Sequence, residues 1–297
     1  MEQNKQRIVV KVGTSTLTHN SGALDLWSME HLVRTLADLQ GMGHEVILVS
    51  SGAIAVGTAK LGLSERPKEL RMKQAAAAVG QCRMMHIYDK FFSEYNRSMA
   101  QILLTGDDVE DPDRADHLRS TFSALLEMGV IPVVNENDSV SSAEIETGRH
   151  KVLGDNDTLS AIVAELCRAD LLVLLSDIDG LYDADPKTHP EAKLLHQVTE
   201  LTPEILAAGG APAAWPPSSP LPALPWRPGA IWSSPTADGW KTCMASRRER
   251  TLERDLYRGK LGIDGLHPQR NDLKFVRIRR TPKFPTPNSS FKKGVTI

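Results

Sequence analysis

The chain has 297 residues, of which 41% are hydrophobic and only 5% aromatic, and its net charge is −2. That length allows about two domains or one large α/β domain, and the aliphatic composition suits a Val/Ile/Leu/Ala core. No apolar run nears the roughly 20 residues of a membrane helix, the start MEQNKQR is too polar for a signal peptide, and three cysteines without a CxxC spacing argue against a disulfide framework or zinc site, so the chain reads as soluble and cytoplasmic.

The first element lies in RIVVKVGTS, residues 7–15. Ile8, Val9, Val10 and Val12 are too β-branched for a helix and predict a buried parallel strand, which makes Lys11 the odd residue. A lone strand-end lysine commonly snorkels to water. Here Gly13, Thr14 and Ser15 follow it and can turn backbone N–H groups outward at the carboxyl end of the strand, where doubly wound sheets hold phosphates. Apolar spacing then predicts a helix over 28–40, closed by Gly41 and Gly43. A second strand over 45–49 runs into Ser50, Ser51 and Gly52, where a small-residue helix begins, and a helix start of this kind suits an anion. Gly52 and Gly57 have the spacing of half a P-loop, but Thr58, Ala59 and Lys60 break the GxxxxGK[ST] pattern.

An Ala-rich helix is predicted over about 67–96, its Met and Phe stripe reading as core or dimer surface. Cys82 and Cys167 fall within helical patterns and read as buried packing. Strand 101–104, helix 115–128 and strand 131–134 follow, the last ending in Asn135, Glu136, Asn137 and Asp138. After a polar, hairpin-like excursion over 141–152, the cluster Gly154, Asp155, Asn156 and Asp157 opens a helix over 158–168. The wholly apolar strand 171–175 ends in Ser176, Asp177, Ile178, Asp179 and Gly180. Strand after strand thus ends in small, amide or acidic residues, the pattern of a ligand-binding sheet edge.

In this order, KVGTS, SSGAI, AAVGQ, ILLT, IPVVNENDSV, GDNDTLSA and LLSDIDGLYDADP resemble the amino acid kinase family, over residues 6–210. The pair NEND and GDND resembles those members that phosphorylate glutamate. The resemblance implies an α/β fold, a three-layer α/β/α sandwich with a mainly parallel central sheet. It also implies transfer of the ATP γ-phosphoryl group to the side-chain carboxylate of L-glutamate, giving glutamyl 5-phosphate for proline synthesis. By the same resemblance Lys11 and Asp157 are catalytic, Lys11 balancing the transferring phosphoryl group and Asp157 orienting the lysines. Gly13, Thr14 and Ser15 would hold phosphate oxygens, Ser176 and Asp177 would border the nucleotide, and Ser51, Asp138 and Asn156 would hold glutamate. Magnesium (Mg2+) is expected to bridge the phosphates through ATP and water, without protein ligands; a homo-oligomer and feedback inhibition by proline also belong to the family. The chemistry agrees with these residue types, because a carboxylate attacking a phosphate is anion meeting anion, and neutralisation with positioning must lower the barrier.

The family continues with a GTGGMATK-type loop that lines the ATP phosphates and supplies a second catalytic lysine, whereas this chain departs from it at about residue 211. Residues 211–240 hold eight of the 18 prolines and four of the five tryptophans without helical or alternating periodicity. Residues 211–297 carry 16 Lys/Arg against 6 Asp/Glu, a net of +10, while residues 1–210 carry 19 against 31, a net of −12. Read one base earlier, the possible codons of residues 210–218 permit GTGGMATK letter for letter, and the same shift over 231–241 permits the strand-like DVVIANGRRLE. Residues 1–210 are therefore read as a kinase domain lacking its C-terminal nucleotide-binding part. Residues 211–297 are read as out-of-frame translation, a Pro/Trp-rich and then basic tail that is irregular or disordered. Turnover by this chain is then expected to be feeble or absent, and an inactive kinase remnant is the alternative. A basic tail that binds nucleic acid is the rival reading; neither a fold motif nor patterned aromatics accompany the charge, so nucleic acid is not expected as a partner.

Overall fold

The computed structural model describes residues 5–140 and 156–176 continuously, with 181–183, 189, 191–195, 197–198, 228–233 and 274–280. The first strand, β1 (Arg7–Val12), runs into a single helical turn, α1 (Thr14–Leu17), and then α2 (Leu26–Gly41). Strand β2 (Glu45–Val49) is followed by α3 (Ala53–Lys60) and the long α4 (Leu70–Glu94). Next come β3 (Met99–Leu104), α5 (Gly106–Glu110), α6 (Pro112–Glu127), β4 (Ile131–Glu136), α7 (Asn156–Leu166) and β5 (Leu171–Ser176). Short strands β6 (Leu181–Tyr182), β7 (Leu194–Leu195) and β8 (Gln197–Val198) precede β9 (Pro228–Ser233) and β10 (Lys274–Arg280).

Five parallel strands in the order β3-β4-β2-β1-β5 form the body of the sheet, and β10, β9 and β8 extend it beyond β5 in antiparallel pairing. β6 and β7 pair separately. Central strands buried on both faces explain the apolar runs of the sequence. Because side chains alternate across a strand, Ile8, Val10 and Val12 join a core with α1 to α4. Val9 joins the other core, with α6 and α7. This is the expected three-layer α/β/α sandwich with a mainly parallel sheet. β9 and β10 lie within 211–297; the rest of that stretch and the excursion over 141–152 are outside the described residues.

Local chemistry sets the helix boundaries. The Asp25 side chain accepts from the N–H groups of Trp27 and Ser28 and starts α2, and Asp111 does the same for α6 ahead of Pro112. α5 lacks apolar periodicity and follows from a capping box in which Thr105 and Asp108 satisfy one another. Burial would raise the Asp108 pKa, but the Thr105 bonds and Arg114 outweigh it, and it lies lowered.

α3 and α4 approach with almost no side chain between them. A Cβ on Gly57 would lie 1.7 Å from the Ala76 carbonyl oxygen, and one on Gly80 would lie 1.8 Å from that of Ala53. Cys82 is exposed rather than buried, because it lies beside the packed stripe of Ala77, Met84 and Tyr88, whereas Cys167 is buried and its thiol is pushed up to about 12 by that burial.

At the opposite end of the sheet from the polar turns, Glu45 takes Lys5 Nζ at 2.6 Å and Arg7 Nε at 2.6 Å. Arg7 N–H also donates to Asp170 Oδ2 at 2.8 Å, and the Arg7 guanidinium reaches the Cys167 carbonyl, so β1 is pinned between β2 and β5.

Two predictions follow from this packing. Gly57→Ala or Gly80→Ala must push α3 and α4 apart, costing roughly 3 kcal/mol and about 6–12 °C in Tm by calorimetry. Burial raises the Glu45 pKa, but its bonds to Lys5 and Arg7 outweigh that and leave it below 4.5. The stability Glu45 contributes is therefore present above that value and lost as pH falls through the lowered one, so Glu45→Gln should flatten the acid limb of a pH series of melting curves.

Candidate active site

Lys11 sits on the central strand, opposite Val49 of β2 and Leu174 of β5, so its backbone is paired on both sides. It shares the face of Val9, toward α7, and its Nζ lies 2.6 Å from Oδ1 of Asp157 in the first turn of that helix. The lysine is 9% exposed. An ammonium this buried requires a partner, and a carboxylate at a helix start also meets the positive end of the helix dipole.

Gly13 then begins α1. A Cβ on it would lie 3.7 Å from Lys11 Nζ and 3.9 Å from Ser15 Oγ, so the ammonium and a hydroxyl converge on the same turn as the first N–H groups of α1. The turn after β2 clasps it from the side. Ser51 Oγ donates to the Val12 carbonyl at 2.9 Å and takes a bond from Thr14 Oγ1 at 3.4 Å. Gly52, at φ 95°, has the left-handed backbone that glycine favours, and Thr14 presses on it so closely that a Cβ would meet the threonine methyl at 3.3 Å.

From there a chain of polar groups leads toward α4. Asn156 Nδ2 donates to the Ser50 carbonyl at 2.7 Å and lies 3.4 Å from Asn135 Oδ1. Asn135 Nδ2 donates to Gln81 Oε1 at 3.0 Å. The Ser50 and Tyr88 hydroxyls share a bond of 3.0 Å, and burial pushes the Tyr88 phenol far above its usual pKa even though Ser50 opposes it. A cleft of about 390 Å³ opens between α4 and the ends of β3 and β4, with Gln81, Cys82, Gln101, Glu136 and Asp138 among its walls.

The structure therefore brings Lys11, Gly13, Thr14, Ser15, Ser51 and Asp157 together at adjacent strand ends, with Asn156 one hydrogen bond away and Asp138 in the neighbouring cleft. Ser176 ends β5, and Asp177 lies outside the described residues. Sequence reasoning gave no role to Gln81, Tyr88 or Ser50. One signal was available: Ala77, Gln81 and Met85 recur every four residues along α4, so the amide interrupts an otherwise apolar stripe facing the cleft. Among the described residues no three His, Cys, Asp or Glu side chains converge as a metal cage, and no helix is long and apolar enough to cross a membrane.

A parallel α/β sheet whose polar turns gather at the carboxyl ends of its strands has the layout of a ligand-binding α/β fold. The chain belongs to the amino acid kinase family, whose model matches residues 6–216. It is thus a kinase, and ATP is the donor the family uses. It is 54% identical over 210 residues to the glutamate 5-kinase of Clostridium perfringens, covering 70% of this chain and 77% of that one. With the glutamate 5-kinase of Carboxydothermus hydrogenoformans it shares 55% identity over 214 residues, 71% of this chain and 56% of the relative. With that of Listeria innocua the identity is 50% over 208 residues, 70% and 75% of the two chains.

Tyr88→Phe leaves the fully buried Ser50 hydroxyl without its partner. The expected cost is about 1–2 kcal/mol, read as a lower urea midpoint at unchanged m-value.

Proposed function

We propose that this chain carries the site for transferring the γ-phosphoryl group of ATP to the side-chain carboxylate of L-glutamate, forming glutamyl 5-phosphate, the first step of proline biosynthesis. The observation that carries the reading is the Lys11–Asp157 pair, held at 2.6 Å beside the Gly13 turn, with a chain of hydrogen bonds from Asn156 through Asn135 to Gln81 in the wall of the cleft that contains Asp138. The glutamate 5-kinase relatives supply the acceptor.

Lys11 neutralises charge on the phosphoryl group as it moves between two oxygens, and Asp157 holds the ammonium in place. The amides of Gly13, Thr14 and Ser15 take phosphate oxygens, and Ser176 with Asp177 borders the nucleotide. Asp138 meets the glutamate ammonium, while Ser51 and Asn156 donate to its carboxylates. The donor set fits magnesium carried on ATP phosphates and water, since the Asp157 carboxylate is engaged by Lys11 and no metal cage of His, Cys, Asp or Glu forms among the described residues. Bound there, the ion neutralises phosphate charge. We further propose a homo-oligomer and proline as a feedback inhibitor, to be checked by sedimentation and by inhibition of the assay below.

Residues 211–297 belong to this proposal as out-of-frame translation that replaces the glycine-rich loop and its lysine. The gene should then encode GTGGMATK in the shifted frame, and a nucleotide sequence that does not would refute it. A frame-restored chain should form the hydroxamate of glutamate from ATP and hydroxylamine, with the present chain far slower. Lys11→Ala in the restored chain should lower kcat by about 10² to 10³. A smaller effect would remove Lys11 from the chemistry.

A further inference from the structure

Among the described residues, the hydrogen bonds around the cleft leave one buried side-chain group over. Gln81 is 7% exposed and lines the cleft, and its Nε2 is buried without a hydrogen-bond partner. The polarity of the amide chain dictates which end is left. The Ser50 carbonyl can only accept, so Asn156 must present its NH2 group there at 2.7 Å. The same NH2 faces the Asn135 oxygen at 3.4 Å, which turns the Asn135 NH2 toward Gln81 at 3.0 Å. Gln81 must then accept through Oε1, and a backbone carbonyl thereby fixes three side-chain amides in series. What remains is a neutral donor whose burial in the cleft wall is costly until an acceptor meets it.

The chemistry of the cleft says what that acceptor is. Glu136 and Asp138 share its wall and suit an ammonium. A dicarboxylic amino acid brings two carboxylates as well, and among acidic neighbours these require donors. The terminal torsion of glutamine is soft, so a small rotation carries Nε2 toward an oxygen in the cleft while Oε1 keeps its bond to Asn135.

We propose that Gln81 is a specificity-determining residue of the acceptor cleft, its Nε2 donating to a carboxylate oxygen of the bound amino acid, an inference that rests on the acceptor reading above. Gln81→Glu keeps the shape and the acceptor for Asn135 but puts a negative charge where the donor was; Gln81→Met keeps the length without either.

The test is calorimetric titration of the full chain and both variants with L-glutamate, L-glutamine and L-isoglutamine, the last two each having one carboxylate converted to an amide. Both variants should bind glutamate roughly 10- to 100-fold more weakly, the loss of a hydrogen bond to a charged group. Gln81→Glu should lose no affinity for whichever amide analogue lacks the contacted carboxylate. Equal glutamate affinity in variants and unaltered chain would overturn the proposal, as would parallel loss for all three ligands, which marks a merely structural role. If Gln81→Glu fails to fold, Gln81→Met decides: a glutamate loss larger than its loss for the analogue lacking the contacted carboxylate supports the proposal, and equal losses overturn it. An unaltered chain that does not bind glutamate overturns this inference together with the acceptor reading, whereas binding that the variants leave intact overturns only the role of Gln81.

Discussion

The structure turns on one awkward fact, an ammonium group at the carboxyl end of a central, buried strand. Lys11 has strands on both sides and a core above and below. It is tolerable there only because α7 begins where its first turn can offer Asp157. The crossover that places α7 runs from β4 on one side of β1 to β5 on the other, which is where open α/β sheets part and admit ligands. A sheet whose sole purpose was stability would do better with an apolar residue at position 11. The proposed function gives that cost a reason: the Asp157 side of the pair is half exposed, and the ammonium lies against the turn at Gly13.

Small residues make the second half of the site possible. Gly57 and Gly80 let α3 and α4 touch backbone to backbone. That contact fixes α4 close enough to the sheet for Tyr88 to reach Ser50 and for Gln81 to reach Asn135. Gly52 supplies the left-handed turn on which Ser51 is mounted and against which Thr14 rests. The Lys11 turn and the α4 cleft wall are thus linked through the segment Ser50 to Gly52, whose Ser50 carbonyl receives Asn156 and whose Ser51 hydroxyl reaches Val12. In the proposed reaction between two anions, charge would be handled at the Lys11 end and shape at the α4 end.

Much of this was legible in the sequence because two-sided burial writes itself as β-branched runs. Residues 45–49 form a strand by pattern and in the structure, and β1, β3, β4 and β5 differ from their expected bounds by at most two residues at either end. The turns Gly13–Ser15 and Ser51–Gly52 were legible because small residues at a strand end have few other uses. α5 was not, since five residues held by a Thr105–Asp108 capping box carry no periodicity. The side of α4 on which Cys82 lies was misread because alanine is compatible with either face of a helix, and so does not tell which side is covered. Gln81, Asn135 and Asn156 read as separate polar residues. Their relation depends on contacts across 54 and 21 positions, which local pattern does not encode.

The central claim is that the strand-end site at Lys11 passes a phosphoryl group to a carboxylate, and oxygen labelling tests it most directly. Glutamate carrying ¹⁸O in its side-chain carboxylate is incubated with ATP, hydroxylamine and the frame-restored chain, and the released inorganic phosphate is analysed by mass spectrometry. If the carboxylate attacks phosphorus, the bridging oxygen leaves with the phosphate when hydroxylamine takes the acyl group, so one ¹⁸O appears in each phosphate formed from fully labelled glutamate. Phosphate free of label would mean that water or another group accepts the phosphoryl, and would contradict the account.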